Sequence, residues 1–457
     1  MEADFLLKTE LARRLYHGCA ETQPIIDYHN HLSAADLAAD RRYANLTELW
    51  VAQDPYKHRA MRIAGVPEAR ITGRDASPRE KFEAWASTVP QTLGNPLYHW
   101  TALELDRVFH ISEPLTPESA GRIWDCATER LREPGFSARG LLQRFRAESV
   151  CTSDGLLDSL EAHRALARSD FGVRVLPSLR GDDLVAAEPE WLVRLADVTG
   201  TACDSFGGFC SAVKRALDDF DLLGCRLADH ALDAFGYAAC AESEADVLLR
   251  RRMVGETLSG DERLGLRSAV LRFLGQEYGR RGWRMQLHLN AQRRTSARLR
   301  RLAGPAGGYA TAGNALDAAG LCAFLDDLER AGALPRTILY TLNPADNAVL
   351  AVLTGSFAED GVSGKIQFGP AWWYNDHIAG IRHHMEALSG YGLLSTFIGM
   401  TTDSRSPLSM VRHEYFRRVL CATLGEWAER EWVPDDFPAL AELVRKISYG
   451  NAKSMMG

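Results

Sequence analysis

Ile25-Ile26-Asp27-Tyr28-His29-Asn30-His31 (residues 25–31) is a short apolar run that ends in a polar cluster with histidines at i and i+2. Alternate residues of an extended strand point the same way, so His29 and His31 converge and can chelate one ion. Two surface histidines would be the plainer reading. What favours ligation is the setting, because barrel enzymes place their chemistry at the C-terminal ends of buried parallel strands.

Seven more runs of this kind follow: 148–153 (ESVCTS begins at 148), 173–179 (VRVLPSL), 223–229 (LGCRLAD), 284–289 (RMQLHL), 337–342 (TILYTL), 365–369 (KIQFG) and 393–400 (LLSTFIGM). Each is followed by an Ala/Leu/Glu/Arg-rich stretch with helical character. Strands alternating with helices indicate parallel βαβ units. Eight of them predict an α/β fold, a closed (β/α)8 barrel of the TIM type. An open doubly wound sheet is the alternative. More than 110 residues separate the first run from the second, far more than one crossover needs. The expected organisation is therefore an N-terminal helix and first strand (1–31), a mostly helical insertion over the loop face (32–145), and the rest of the barrel with C-terminal helices (146–457).

The bulk numbers narrow the function. Apolar residues make up 46% of the 457 and charged residues 25%, with a net charge of −7. That balance argues against a nucleic-acid partner, which needs a basic face. It leaves room for an anionic small molecule held by a few arginines. Nine cysteines include no CxxC pair and read as reduced thiols of a cytoplasmic protein. No signal peptide and no apolar run of membrane-spanning length is visible.

The strand ends carry the candidate chemistry. His288 closes the fifth run. Asp403 follows the eighth, in Thr401-Thr402-Asp403-Ser404-Arg405-Ser406. A carboxylate beside a buried run needs a cation or hydrogen bonds. A metal on the first-strand histidines would supply the cation, because first and eighth strands adjoin in a closed barrel. The competing reading is a helix N-cap. Two imidazoles and a carboxylate suit Zn2+, and also Mn2+ or Fe2+. Arg180, Arg293 and Arg405 follow the third, fifth and eighth runs and suit bidentate capture of an acid. Trp372 and Trp373, in FGPAWWYND, are candidates for a sugar-stacking wall or for simple packing.

These segments resemble the uronate isomerases of the amidohydrolase superfamily. YHNHLS is similar to that family's first-strand metal motif, and REKFEAWASTVPQTLGNPLYHWTALEL to its insertion. LPRTILYTLNPADN, GPAWWYND and GMTTDSRSPLSMVRHEYFRRVLC are similar to its C-terminal half, so the likeness covers most of 20–450. The resemblance implies an aldose–ketose isomerase acting on a small sugar acid. It would interconvert glucuronate with fructuronate and galacturonate with tagaturonate, with one divalent metal and no organic cofactor. It implies His29, His31 and Asp403 as metal ligands and Asp403 as general base. Tyr56, in DPYKHRAMR, would transfer protons. Arg180, His288, Arg293, Arg405 and Trp372 would surround the substrate, Arg405 also serving catalysis. Assembly into a homo-oligomer is left open.

Four positions depart from the family pattern. Pro55 stands where a histidine precedes the tyrosine, Asn290 where a glycine follows strand five, Gly181 where a proline follows the strand-three arginine, and Gly155 in the TSDG segment. A metal-dependent hydrolase of the same superfamily is the first rival reading, in which His230, at the Asp229-His230 end of strand four, and His288 would supply a further histidine pair. An isomerase for another acid sugar and a non-catalytic sugar-acid sensor are the others.

Overall fold

A computed structural model describes residues 1–457. Its strands, in chain order, are β1 (Ile25–Asp27), β2 (Ala147–Cys151), β3 (Asp154–Gly155), β4 (Arg174–Leu176), β5 (Leu179–Arg180), β6 (Leu227–Leu232), β7 (Arg284–Leu289), β8 (Ala291–Gln292), β9 (Thr311–Ala312), β10 (Arg336–Thr341) and β11 (Ile366–Phe368). Three of them form a sheet ordered β1-β2-β4. Six form a second, ordered β11-β10-β7-β6-β5-β3, and β8 pairs with β9 alone. Every pairing in the two larger sheets is parallel. Strand faces are buried on both sides, as in RTILYT of β10, because helices cover them.

The two sheets run into each other. Thr152 N donates to Leu176 O (3.1 Å), Ser178 N to Thr152 O (3.2 Å) and Asp154 N to Ser178 O (2.9 Å). β2–β3 and β4–β5 are thus two kinked strands lying side by side. One cause of the break is Pro177, which has no N–H to offer the ladder.

The expected eighth strand over 393–400 is not there. Leu394–Thr396 is a single 3-10 turn, and the residues after it form no regular ladder. Gly399 explains part of this. Its φ is +87°, and a Cβ on it would sit 2.1 Å from Ile447 O, so the chain turns out of the pleat to pass a neighbouring backbone. The segment still spans the space between β11 and the end of β1. Ile398 N donates to Gln367 Oε1 (3.0 Å), Tyr28 Oη to Gly399 O (2.8 Å), Asp403 N to His29 O (3.1 Å) and His31 N to Ser404 O (2.9 Å). The fourth strand is also displaced from 223–229. The preceding helix runs to Leu222, so β6 begins at Leu227 and carries Asp229 and His230 in its interior.

Between β1 and β2 the chain is helical, with α-helices over Ala34–Ala38, Pro55–Ile63, Pro78–Thr88, Pro96–Phe109, Ala120–Arg130 and Ala138–Arg144. The sequence marks their starts. Ser77 and Glu80 form a capping box, and Asp54 caps the helix that opens with Pro55 at its first position.

Asp27 holds the end of β1 in place. It is fully buried and accepts from Thr401 Oγ1 (2.7 Å), Thr402 N (2.7 Å), Thr402 Oγ1 (2.6 Å) and Asn30 Nδ2 (3.1 Å). Asp27→Ala would orphan these donors at once. We expect it to lower the unfolding free energy by about 3 kcal/mol. Thr402→Val, which removes one hydroxyl donor, should cost roughly 1 kcal/mol. Urea denaturation at neutral pH measures both, and an unchanged midpoint for Asp27→Ala would show that the carboxylate is no anchor.

Candidate active site

His29 and His31 leave the end of β1 on one face, and the hydrogen bonds just described bring Asp403 over them. His31 Nε2 lies 3.0 Å and His29 Nε2 3.5 Å from the same oxygen, Asp403 Oδ1. Neither contact has hydrogen-bond geometry, and Oδ1 is buried without a donor. Asp403 Oδ2 accepts from Trp372 Nε1 at 2.8 Å. The two imidazoles and one carboxylate oxygen therefore converge on a common point, an arrangement that could hold a metal ion. Asp403 sits at φ +45°, a left-handed conformation that costs a non-glycine residue energy and is kept where the surroundings over-determine it. The capping alternative fails, because Ser406, not Asp403, caps the turn Pro407–Met410.

Behind His29 lies a second acid. Asp229 Oδ1 is 3.9 Å from His29 Nδ1, and His29, Asp229 and His288 form an adjoining buried cluster. His29 Nδ1 and His288 Nε2 both lack hydrogen-bond partners. Burial disfavours charge on His29, but Asp229 and Asp403 outweigh it and raise its pKa to about 9. Burial pushes Asp229 up to about 6. Asp403 is held well below the carboxylate range by the two histidines, against the effect of its burial.

One cavity of about 790 Å3 takes in every candidate ligand, substrate-binding and proton-transfer residue named from the sequence. His29, His31 and Asp403 lie at its floor, with Tyr56, His288 and Trp372 beside them. Arg180, Arg293 and Arg405 stand in its wall, and their partners differ. Arg180 pairs with Asp182 at 3.3 Å. Arg293 is paired with Asp233 and lies over the rings of Trp372 and Trp373. Arg405 forms neither an ion pair nor a hydrogen bond within the protein. His288 stacks on Tyr340 with ring centroids 4.4 Å apart, and burial keeps it neutral.

Three groups beside the candidate site were given no part in the isomerase reading of the sequence. Asp376 accepts a hydrogen bond from Tyr56 Oη at 2.9 Å, and its other oxygen is buried and unpartnered. Arg412, almost wholly buried, places its guanidinium 5.1 Å from the Tyr56 ring centroid and 4.1 Å from that of Trp100. Asp229 was weighed only as part of a hydrolase site. Asp376 sits two residues beyond the left-handed Tyr374, and Arg412 in the helix Val411–Glu429, so neither lies at a strand end. The quoted segments FGPAWWYND and RHEYFRR were the only signal. His230, the further histidine of the hydrolase reading, turns to Tyr278 Oη (3.1 Å) and packs on Gly181.

The departures have structural reasons. Asn290 adopts φ +59°, the conformation a glycine supplies, and its amide donates to Asp346 (2.8 Å). Gly181 leaves room for the His230 ring, whose Cε1 would lie 2.1 Å from any added Cβ.

Fold and site together define a class: α/β proteins with a cluster of histidines and a carboxylate that could hold a metal ion, facing an arginine-walled cavity. Comparison with known proteins gives the family. The sequence model described as glucuronate isomerase matches residues 1–456. A uronate isomerase of Vibrio vulnificus (strain YJ016) is 47% identical over 457 residues, covering 98% of this chain and 97% of its own. The crystal structure of a uronate isomerase from Thermotoga maritima superposes with a TM-score of 0.94 at 31% identity, covering 100% of this chain and 99% of that one. That of a glucuronate isomerase from Caulobacter crescentus gives 0.92 at 25%, covering 100% and 96%. The chain belongs to the uronate isomerase family, whose members are aldose–ketose isomerases. The sequence-level resemblance is borne out, and the hydrolase alternative falls away.

An ion that binds only the folded state stabilises it by mass action. Zn2+ at a hundredfold excess over its dissociation constant should raise the unfolding free energy by about 2.7 kcal/mol. The gain should vanish in His31→Ala. Denaturation with and without Zn2+ tests this, and equal stabilisation of the variant would place the ion elsewhere.

Proposed function

We propose that the chain interconverts an aldohexuronate and a ketohexuronate, D-glucuronate with D-fructuronate and D-galacturonate with D-tagaturonate, through an enediol. The observation that carries this reading is the convergence of His29, His31 and Asp403 on one point inside an arginine-walled cavity. We take the frame to be a closed (β/α)8 barrel, with residues 32–145 inserted after the first strand. The hydrogen bonds that tie 398–404 to Gln367 on one side and to Tyr28, His29 and His31 on the other support that closure. Nine free thiols suit a reducing compartment such as the cytoplasm.

His29, His31 and Asp403 would hold the divalent ion, and Zn2+ suits that donor set, as Mn2+ or Fe2+ also would. When bound, the ion supplies positive charge that polarises an oxygen or acidifies a water. The remaining work falls to side chains. Arg405 has no internal counter-ion, so it is the arginine best placed to take the substrate carboxylate. Arg293 and Arg180, already paired, steady the hydroxyl-bearing chain and the developing oxyanion. Trp372 fixes the Asp403 carboxylate and offers the sugar a flat face. His288, neutral, offers Nε2 to a hydroxyl.

Proton movement centres on Tyr56. Burial holds its pKa well above the ordinary 10, so a free phenolate does not form at neutral pH. Its proton is already directed at Asp376, whose own pKa burial raises to about 6 despite Arg412. The Tyr56 oxygen can therefore take the proton from C2 as its own passes to Asp376, with Arg412 offsetting the charge. Reversal of both transfers delivers a proton to C1, while the C2 hydroxyl proton of the enediol passes to the C1 oxygen, so that C2 becomes the ketone carbon. Pro55 adds no titratable group here, and the Tyr56–Asp376 pair needs none from that position.

Turnover of D-glucuronate and D-galacturonate by the Zn2+-loaded protein, followed as ketose formation, tests the reading. Activity abolished by chelation is expected, and no turnover of either sugar would overturn it. Asp403→Asn should lose both bound metal and activity. Tyr56→Phe should lower kcat roughly 10²–10⁴-fold with little change in KM. The pH dependence follows from Asp376, which must be ionised to accept the proton. Wild-type kcat/KM should fall as pH drops through about 6, and Asp376→Asn should lose that limb along with most of its rate. An acid limb that survives in Asp376→Asn would assign it to another group.

A further inference from the structure

A second cavity of about 510 Å3 adjoins the first and shares with it Val185, Ala186, Arg267 and Arg294. Four arginines line it, against one acid, Glu188. Arg252 is accounted for. It pairs with Glu188 at 2.6 Å and donates to Ala187 O at 2.9 Å. The other three have no carboxylate partner. Arg263 donates only to Leu258 O (2.7 Å) and Arg267 only to Gly236 O (3.2 Å), while Arg294 has no hydrogen bond. Arg267 is the telling one. It is half-buried, its Nε is sealed from solvent without an acceptor, and burial lowers its pKa.

A guanidinium does not give up its proton to escape such a site. A partly desolvated cation with a spare donor calls for an anion, by the same argument that makes Asp403 call for a cation. All this stands in a protein of net charge −7. None of these residues belongs to the proton-transfer or ligand set above.

We propose that this cavity binds a second small oxyanion, a phosphate or carboxylate, held by Arg263, Arg267 and Arg294 beside the substrate chamber. Its neighbourhood makes the substrate's own acid group one source and a free inorganic anion the other.

Isothermal titration of the Zn2+-loaded full chain with inorganic phosphate, at low ionic strength, tests it. Saturable binding is expected. It should weaken at least tenfold in the double variant R263Q/R267Q and stay within twofold in R405Q, which alters only the substrate chamber. Arg263 is exposed, so R263Q alone keeps its fold and should show a smaller, measurable weakening. Competition by D-galacturonate that persists in R405Q would identify a sugar acid as a second occupant; its absence would assign the site to inorganic anions. No saturable binding, equal binding in R263Q/R267Q, or binding lost in R405Q would each overturn the proposal. The isomerase reading is tested separately by turnover, so either can fail alone.

Discussion

The buried carboxylate of Asp27 governs the geometry of everything near it. It lies at the end of β1, wholly out of water, and its oxygens are saturated by the backbone and side chains of Thr401 and Thr402, with Asn30 completing the set. An unpaired buried carboxylate would be costly, so these donors cannot drift. His413 approaches from the helix behind, 3.4 Å away. Together with the bonds from Tyr28, His29 and His31, this group fixes the segment 398–404 against the first strand, although no regular ladder joins them. Two residues on along β1 stand His29 and, beyond it, His31. One residue past Thr402 stands Asp403. The ligand cluster is thus registered by a carboxylate that does not belong to it.

The same rule, that charge removed from water must be answered, organises the cavity. Arg293 is answered by Asp233, Lys57 by Asp54 at 2.5 Å, and Arg412 by the acids that surround it. Unanswered groups then become informative. Asp403 Oδ1, His29 Nδ1, His288 Nε2 and Asp376 Oδ1 are buried without partners, and all lie around one chamber. Native proteins rarely leave such atoms orphaned except where a ligand or a reaction completes them. Arg405 and Arg267 are the cationic counterparts, one inside the chamber and one at its border.

Strain marks the same region. Asn290, Tyr374 and Asp403 all take left-handed backbone conformations, and each flanks or forms the site. Such conformations persist only where packing and hydrogen bonds hold them. Asn290 shows how a family departure can be absorbed: asparagine is among the few residues that enter this region readily, and its amide gains a bond to Asp346. Pro55 is absorbed differently, as a first-turn residue whose fixed φ suits the helix that carries Tyr56.

The amino-acid sequence by itself determined the alternation of strands and helices, because period and composition are local properties. It also pointed to the candidate ligands, because His29-x-His31 and Thr-Asp-Ser-Arg are short-range patterns. It misplaced what depends on distant backbone. The expected strand over 393–400 gave way to a turn and an irregular segment, since Gly399 must pass within contact of Ile447, 48 residues further on. β6 starts late because a helix packs as far as Leu222. Asp376 and Arg412 were unreadable for a related reason. Their bond to, and contact with, Tyr56 join positions more than 300 residues apart, and no local pattern encodes such a distance. Which charges are answered and which are left for a ligand is a question of proximity in space, and only the folded chain decides it.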